Sequence, residues 1–298
     1  MHVQAIKSLH IINFMEAFTP HLPKLSFSTY KGMSGKVGII GGSTECCGFP
    51  FFAGAASLNL GSDLSHIFCA KDVAIPIKSM QPEQIVHPYL PDNEDFTKIL
   101  ESANNVFSTC ETLHSNSIGL GLNMQIPVIK SFAEQLIEKF RSFQRPFVID
   151  SSMIDLIIEK PDLFKNCPHF LMILDEESIS KLSKQLQIDT NPSTICSFFG
   201  GIKLFIIGNE YKYADTSQIV DIEYQRFRIN GEEALLVGLI TTLLAWAPHN
   251  CLLACNAASE AYSSAAKIAY IKKSRSTRPS DIIDSLYQVL PDTWNYIE

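Results

Sequence analysis

Three short segments hold the residue types that could do chemistry, and each lies where a strand would hand over to a helix. Gly41-Gly42-Ser43-Thr44 follows an apolar run and precedes a helix that begins near Pro50. Small residues at such a turn let backbone N–H groups approach an anion. Gly119 and Gly121, within IGLGLN, repeat the pattern after another apolar run. Two such turns at the carboxyl ends of parallel strands would line one crevice, where open α/β sheets bind ligands. The third segment, Asn230-Gly231-Glu232-Glu233-Ala234, opens a long apolar helix. Asn or Gly at the start and two acids in the first turn suit a capped helix, whose dipole favours negative charge there. A turn built for phosphate would lack those acids. One carboxylate about 4 Å from a phosphate costs roughly 1 kcal/mol in water and about 4 at an effective dielectric near 20.

Other candidates are weaker. A dinucleotide turn would read G-x-G-x-x-G with an acid after the second strand, and Gly41-Gly42 with Asp72 matches that poorly. His66, His87, His114 and His169 have no Ser or carboxylate at a triad-like spacing and read as surface or core histidines. Asp175-Glu176-Glu177 reads first as a solvated helix start, with a magnesium role as the alternative. Cys251 and Cys255 share a helical face, but no third ligand is near, so they read as packing and no metal site is expected.

Elements that could position these segments are legible as alternating patterns. Short apolar runs predict strands over 36–41, 64–70, 117–120, 146–150, 170–174 and 203–207. Helices are expected over 50–60, 125–141, 154–159, 176–186, 231–247 and 250–270. Six strand–helix alternations predict an α/β fold: a doubly wound, mostly parallel sheet with helices on both faces. The proline-bearing stretch 78–95 is expected to be a loop, and so is 274–279, leading into a last short helix.

Composition narrows the class further. The chain has 298 residues, is 46% hydrophobic and 18% charged, and holds 15 Gly and 15 Pro, which excludes disordered and collagen-like chains. One domain over 1–298 is expected, with 1–11 a short N-terminal extension. A net charge of −7 without a basic stripe argues against nucleic acid and anionic membrane surfaces as partners. The longest apolar run, 234–247, is shorter than the roughly 20 residues of a membrane span. No targeting segment is expected in the first twenty residues, and eight scattered cysteines read as reduced thiols of a cytoplasmic protein, with the mitochondrion as the other compartment.

Taken together the motifs resemble those of the ATP-dependent NAD(P)H-hydrate dehydratases, in the ribokinase-like superfamily. The clearest match is KGMSGKVGIIGGSTECCGFP, at 31–50, where the family has Lys-Gly, a small loop, Gly-Arg-Ile-Gly-hydrophobic-Gly-Gly and Tyr-Thr-Gly-Ala-Pro. It continues through GAASLNLGSDLSHIFCAKDVAIPIKSMQPEQIVHP and thins towards SRSTRPSDII, covering roughly residues 12 to 290. The resemblance implies a three-layer ribokinase-like fold. It also implies a reaction in which ATP, with Mg2+, phosphorylates the hydroxyl of NADH or NADPH hydrate, and loss of phosphate restores the ring. Homo-oligomer formation is a further implication.

Carried over residue by residue, the resemblance puts the hydrate near Gly121 and Asp150, with Asp175 and Ser178 on the acidic loop, and the ATP phosphates near Gly208, Asn230, Gly231 and Glu233. The family signature Arg-Cys-Gly-Gly-x-Gly-Asp-Leu-Leu-x-Gly falls on Arg228 to Gly238, and its Asp, the base, falls on Ala234. Glu233 occupies a glycine position and on a helix points about 100° away from residue 234. The second Asp of Asp-Ala-Asp-Gly falls on Ser152, the Lys of a Lys-Gly pair on Ile207, and the last Gly of Gly-Pro-Gly-Leu-Gly on Asn123. Two readings follow: a dehydratase with a rearranged site that gives Glu233 or Asp175 a new role, or a catalytically silent relative that binds a partner or same-fold subunit. A small-molecule kinase of the same superfamily fits less well, because such kinases resemble one another at the missing Asp.

Overall fold

The computed structural model describes residues 14–91 and 95–295, so the extension expected over 1–11 lies outside the described residues. Among them nine strands form one sheet. These are β1 (Lys36–Ile40), β2 (Leu64–Phe68), β3 (Ile85–His87), β4 (Ser115–Ile118), β5 (Phe147–Ile149), β6 (Phe170–Asp175), β7 (Lys203–Ile207), β8 (Tyr211–Ala214) and β9 (Ile219–Ile222). Their order is β3-β2-β1-β4-β5-β6-β7-β8-β9. The pairings from β3 through β7 are parallel, and β8 and β9 add antiparallel strands at the far edge.

Successive residues of a strand point to opposite faces, and both faces are buried here. In β6, Leu171 and Ile173 join one core while Phe170, Met172 and Leu174 join the other; β7 divides in the same way, Phe205 and Ile207 against Leu204 and Ile206. The first face is covered by α1 (Phe14–Phe18), α2 (Gly48–Leu60) and α3 (Lys71–Met80). The second is covered by α4 (Ile99–Cys110), α5 (Pro127–Arg141), α6 (Ile154–Glu159), α7 (Glu176–Leu186) and α8 (Pro192–Phe198). The chain then returns to the first face with α9 (Glu232–Trp246), α10 (Cys251–Lys273) and α11 (Pro279–Ile283). Three layers around two apolar cores are the doubly wound arrangement.

Several expectations need correction. The stretch 78–95 is not a simple loop: it completes α3 and supplies β3. Pro76 lies inside α3, where a proline removes a donor and crowds the preceding turn. The helix survives by packing Val73, Ala74 and Ile77 into the core. β4 starts at Ser115, two residues before the expected 117, and its Ser115, Asn116 and Ser117 are all buried in mid-sheet. The thiols follow the expected pattern: all eight cysteines are free, and Cys251 and Cys255 are buried on one face of α10. Among the described residues no helix is long and apolar enough to cross a membrane.

α9 is the element that brings the third chemical segment to the sheet. It is apolar on all sides because it is buried on all sides, between the sheet, α2 and α10. Gly238 allows the closest approach: a Cβ there would lie 2.2 Å from the carbonyl oxygen of Ala53 on α2.

Candidate functional site

The strand order reverses between β1 and β4, so their following turns diverge and leave a crevice at the carboxyl edge of the sheet. A cleft of about 960 Å³ lies there. Its floor is the turn after β1, with Glu45 and Cys46, and the turn after β4, with Gly121. The two glycine turns are tied together, since the Gly42 N–H donates to the Leu120 carbonyl at 2.8 Å. Asp150 enters from the end of β5, Asp175 from β6 and Ile207 from β7, and the segment before α9 closes the far side.

Gly231 sits at the N-cap of α9 with φ +98°, and a Cβ there would meet Pro279 Cγ at 2.8 Å. Both facts require glycine. No side chain caps the helix. The two acids of its first turn have different fates. Glu232 is 4% exposed and takes a bidentate grip from Arg226, Nε to Oε1 at 2.7 Å and Nη2 to Oε2 at 2.9 Å. Tyr211 Oη also donates to Oε1, at 2.7 Å. Its hydrogen bonds to Glu232 raise the Arg226 pKa further, and burial raises that of Tyr211. Arg226 Nη1 in turn donates to the Gly208 carbonyl, so the pair binds the segment before α9 to the turn after β7.

Glu233 reaches over the cleft instead. Its Oε1 accepts from the Ser151 N–H at 3.3 Å, and its carboxyl faces that of Asp150. Asp150 is 3% exposed; Oδ2 accepts from the Ser152 N–H at 3.1 Å, while Oδ1 is buried and finds no N–H or hydroxyl donor among the described residues. Two ionised carboxylates facing each other repel, which disfavours the doubly charged state. Both groups are held above the ordinary carboxylate range. Burial is the main cause for each, reinforced for Glu233 by the charge of Asp150.

The cleft brings together Gly121, Asp150, Asp175, Asn230, Gly231, Glu233 and Ala234. Asp175 is partly occupied as the N-cap of α7, accepting from the Ser178 N–H at 2.7 Å. Ser178 and Gly208 are not on the cleft wall. Ser178 is turned into the α7 cap, and Gly208 lies behind Ile207 against Glu176 and Arg226. The sequence reading missed Arg226, Glu45 and Cys46. A buried acid at the head of an apolar helix demands a counter-ion, which was the available signal for Arg226. Glu45 and Cys46 sit in an irregular turn with none.

A family model described as NAD(P)H-hydrate dehydratase matches residues 37–187. The chain belongs to the NAD(P)H-hydrate dehydratase family. Within that family, the ATP-dependent (S)-NAD(P)H-hydrate dehydratase of Entamoeba histolytica is 30% identical over 282 residues, covering 90% of each chain. The protein of the same name from Arabidopsis thaliana is 29% identical over 300 residues, covering 91% of this chain and 82% of that one. Among solved structures, a ribokinase-like superfamily protein of Enterococcus faecalis aligns with TM-score 0.75 at 17% identity, covering 94% of both chains. The ADP/ATP-dependent NAD(P)H-hydrate dehydratase of Bacillus subtilis, co-crystallised with ATP/Mg2+, aligns with TM-score 0.66 at 14% identity, covering 93% of this chain and 97% of that one. At these identities the structures show the ribokinase-like fold.

The chemistry of the cleft can be set beside the nucleotide in the dehydratase relatives' name. The α9 start lies on the cleft wall without a side-chain cap, and Arg226 pairs with the charge of Glu232. Among the described residues no group of three or more His, Cys, Asp or Glu is gathered for a metal. Magnesium that travels with a nucleotide is held largely by phosphates and water, so it needs no such cage.

Proposed function

We propose that this chain carries out the ATP-dependent dehydration of NADH hydrate or NADPH hydrate in the cleft beyond β1, β4 and β5. The observation that carries the reading is the uncapped start of α9 opening over the Glu233–Asp150 pair. It offers N–H groups to phosphate and a titratable carboxyl pair to a substrate hydroxyl. In this reading the hydrate lies by Gly121 and Asp150, with Asp175 beyond it and Ser178 acting through the Asp175 cap. The ATP phosphates lie towards Asn230, Gly231 and the turn at Gly208, and Mg2+ enters with them. The names of the relatives support it. The test is purified protein with NADH hydrate, ATP and Mg2+: return of the dihydronicotinamide absorbance with ADP release is expected, and no conversion by folded protein overturns the reading.

A second reading, a silent relative that binds a partner, draws on Ala234 and Ile207. The two place a methyl and an apolar chain in the cleft where the resemblance puts a base and a cation. Calorimetry with ATP and Mg2+ separates the two, since absence of heat favours the silent protein. The proposal includes a single domain, supported by one sheet running from residue 36 to 222. It also includes residence in the cytoplasm, supported by eight free thiols, and homo-oligomer formation, which light scattering would test.

A further inference from the structure

We infer that Glu233, set on the cleft wall against Asp150, accepts the proton of the substrate hydroxyl in place of a base at residue 234. The inference rests on the dehydratase reading above and deepens it. Ala234 lines the cleft at 2% exposure and offers only a methyl group. Glu233 precedes it, and its carboxyl is turned into the cleft against the β5 end rather than out to solvent. Asp150 is the inner member, almost fully buried, with Oδ2 held by the Ser152 N–H and Oδ1 buried without a hydrogen-bond partner among the described residues. Glu233 is the outer member and the one a ligand can touch.

The other charges around the pair are already committed or stand apart. Glu232 is paired with Arg226 and Asp155 with Lys181, while Asp175 caps α7. Arg228 is exposed on the segment before α9, and Glu45 is exposed on the turn after β1. The two facing carboxyls titrate as a coupled pair, and burial holds both above the ordinary carboxylate range. A base is most effective when its pKa is near the working pH, and burial moves the Glu233 carboxyl upward from the range of an exposed carboxylate.

The first stage balances as follows. The substrate O–H bond breaks and its proton passes to the Glu233 carboxylate. The oxygen forms a bond to the terminal phosphorus of ATP, and the bond to ADP breaks with its electron pair leaving on ADP. In the second stage the carbon–oxygen bond breaks with its electron pair leaving on phosphate, and a proton lost from the adjacent ring carbon restores the double bond. The sum is hydrate plus ATP giving NAD(P)H, ADP, phosphate and a proton.

The experiment compares wild type, Glu233→Gln and the double variant Glu233→Gln/Ala234→Asp, each checked for folding by thermal melting. Glu233→Gln is expected to lower kcat about 10²–10⁴-fold, to lose the acid limb of the pH profile and to keep ATP binding by calorimetry. The double variant is expected to regain rate with its acid limb at lower pH, because the Asp is not coupled to a second carboxyl. Turnover within about twofold of wild type in Glu233→Gln, or a loss of rate with the acid limb unmoved, overturns the inference and leaves the dehydratase reading standing. A wild type that binds no ATP and turns over no hydrate overturns both. One measurement needs no variant. A protonated-carboxyl infrared band is expected to persist at about pH 6, where ordinary Asp and Glu are ionised, and its absence also overturns the inference.

Discussion

Arg226 and Glu232 form a two-pronged ion pair in which the acid is almost wholly buried and the guanidinium also holds the Gly208 carbonyl. The pair converts what looks in sequence like an acid-loaded phosphate turn into a turn with one neutralised and one usable carboxyl. Removing one partner of such a pair strands a buried charge, which costs about 3–5 kcal/mol. Arg226→Leu is therefore expected to lower stability by roughly that amount. Arg226→Leu/Glu232→Gln should recover most of it, because the amide is neutral and still accepts from Tyr211. Urea unfolding followed by circular dichroism checks both, and equal losses in the single and double variants would refute the account.

The approach of α9 to α2 sets a second expectation. With the would-be Cβ of Gly238 at 2.2 Å from the Ala53 carbonyl oxygen, the two backbones must separate to admit alanine. Overpacking of this kind costs about 1–3 kcal/mol, and because both helices start at the cleft the loss of stability should come with a weaker ligand response. Gly238→Ala is expected to melt lower than wild type by several degrees, about 2–4 °C per kcal/mol at this chain length. An unchanged melting temperature would mean that the helices are not in close contact.

How far the fold was legible follows from where its signals are local. Strands with continuous apolar runs, such as KLFII at Lys203–Ile207, were read nearly to the residue, whereas the start of β4 was missed because its Ser115, Asn116 and Ser117 are polar in mid-sheet. β3 was hidden because its three residues lie among Pro82, Pro88 and Pro91, and α3 because Pro76 argues against a helix. β8 and β9 form the antiparallel edge, where cross-strand Lys212 and Asp221 interrupt the apolar pattern. At the site, the family resemblance assigned Gly121, Asp150, Gly231 and Glu233, and all four stand at or near element ends on the cleft wall. What the sequence withheld was direction. Adjacent acids in one helical turn, Glu232 and Glu233, go one into an ion pair and one over Asp150, and only the packed neighbours decide which.

The paired histidines of β2 and β3 give a pH dependence away from the cleft. His66 Nδ1 and His87 Nε2 are 3.0 Å apart in nearly parallel rings, a bond that requires at least one neutral ring. Burial, and then the charge of His87, lowers the His66 pKa from 6.5 to about 4, and burial lowers that of His87. The unfolded chain therefore binds more protons than the folded one between those values, and stability falls as pH drops from about 6.5 to about 4. Asp150 and Glu233, held high in the folded state, act in the opposite sense, so the contrast to measure is between variants. In His66→Phe the fall in urea midpoint over this window should be smaller than in wild type. An identical fall in both would rule out the pair as its source.

Ligand occupancy of the cleft can be read from thiol chemistry without any turnover. Six of the eight cysteines are buried, and burial pushes Cys69 and Cys196 up to about 12 and Cys251 to about 11, which keeps them inert at neutral pH. Cys46 and Cys47 are half-buried neighbours, but of the two only Cys46 is on the cleft wall, beside Gly121. A brief exposure of native protein to a small alkylating reagent should therefore modify these two and spare the other six, as mass spectrometry of the digest would show. ATP with Mg2+, or NADH hydrate, should then slow modification of Cys46 several-fold while leaving Cys47 close to its unliganded rate, because one thiol is covered and the other faces away. Equal protection of both would point to a general tightening of the turn between β1 and α2. Protection of neither, at ligand concentrations where calorimetry registers binding, would place the ligand outside this cleft.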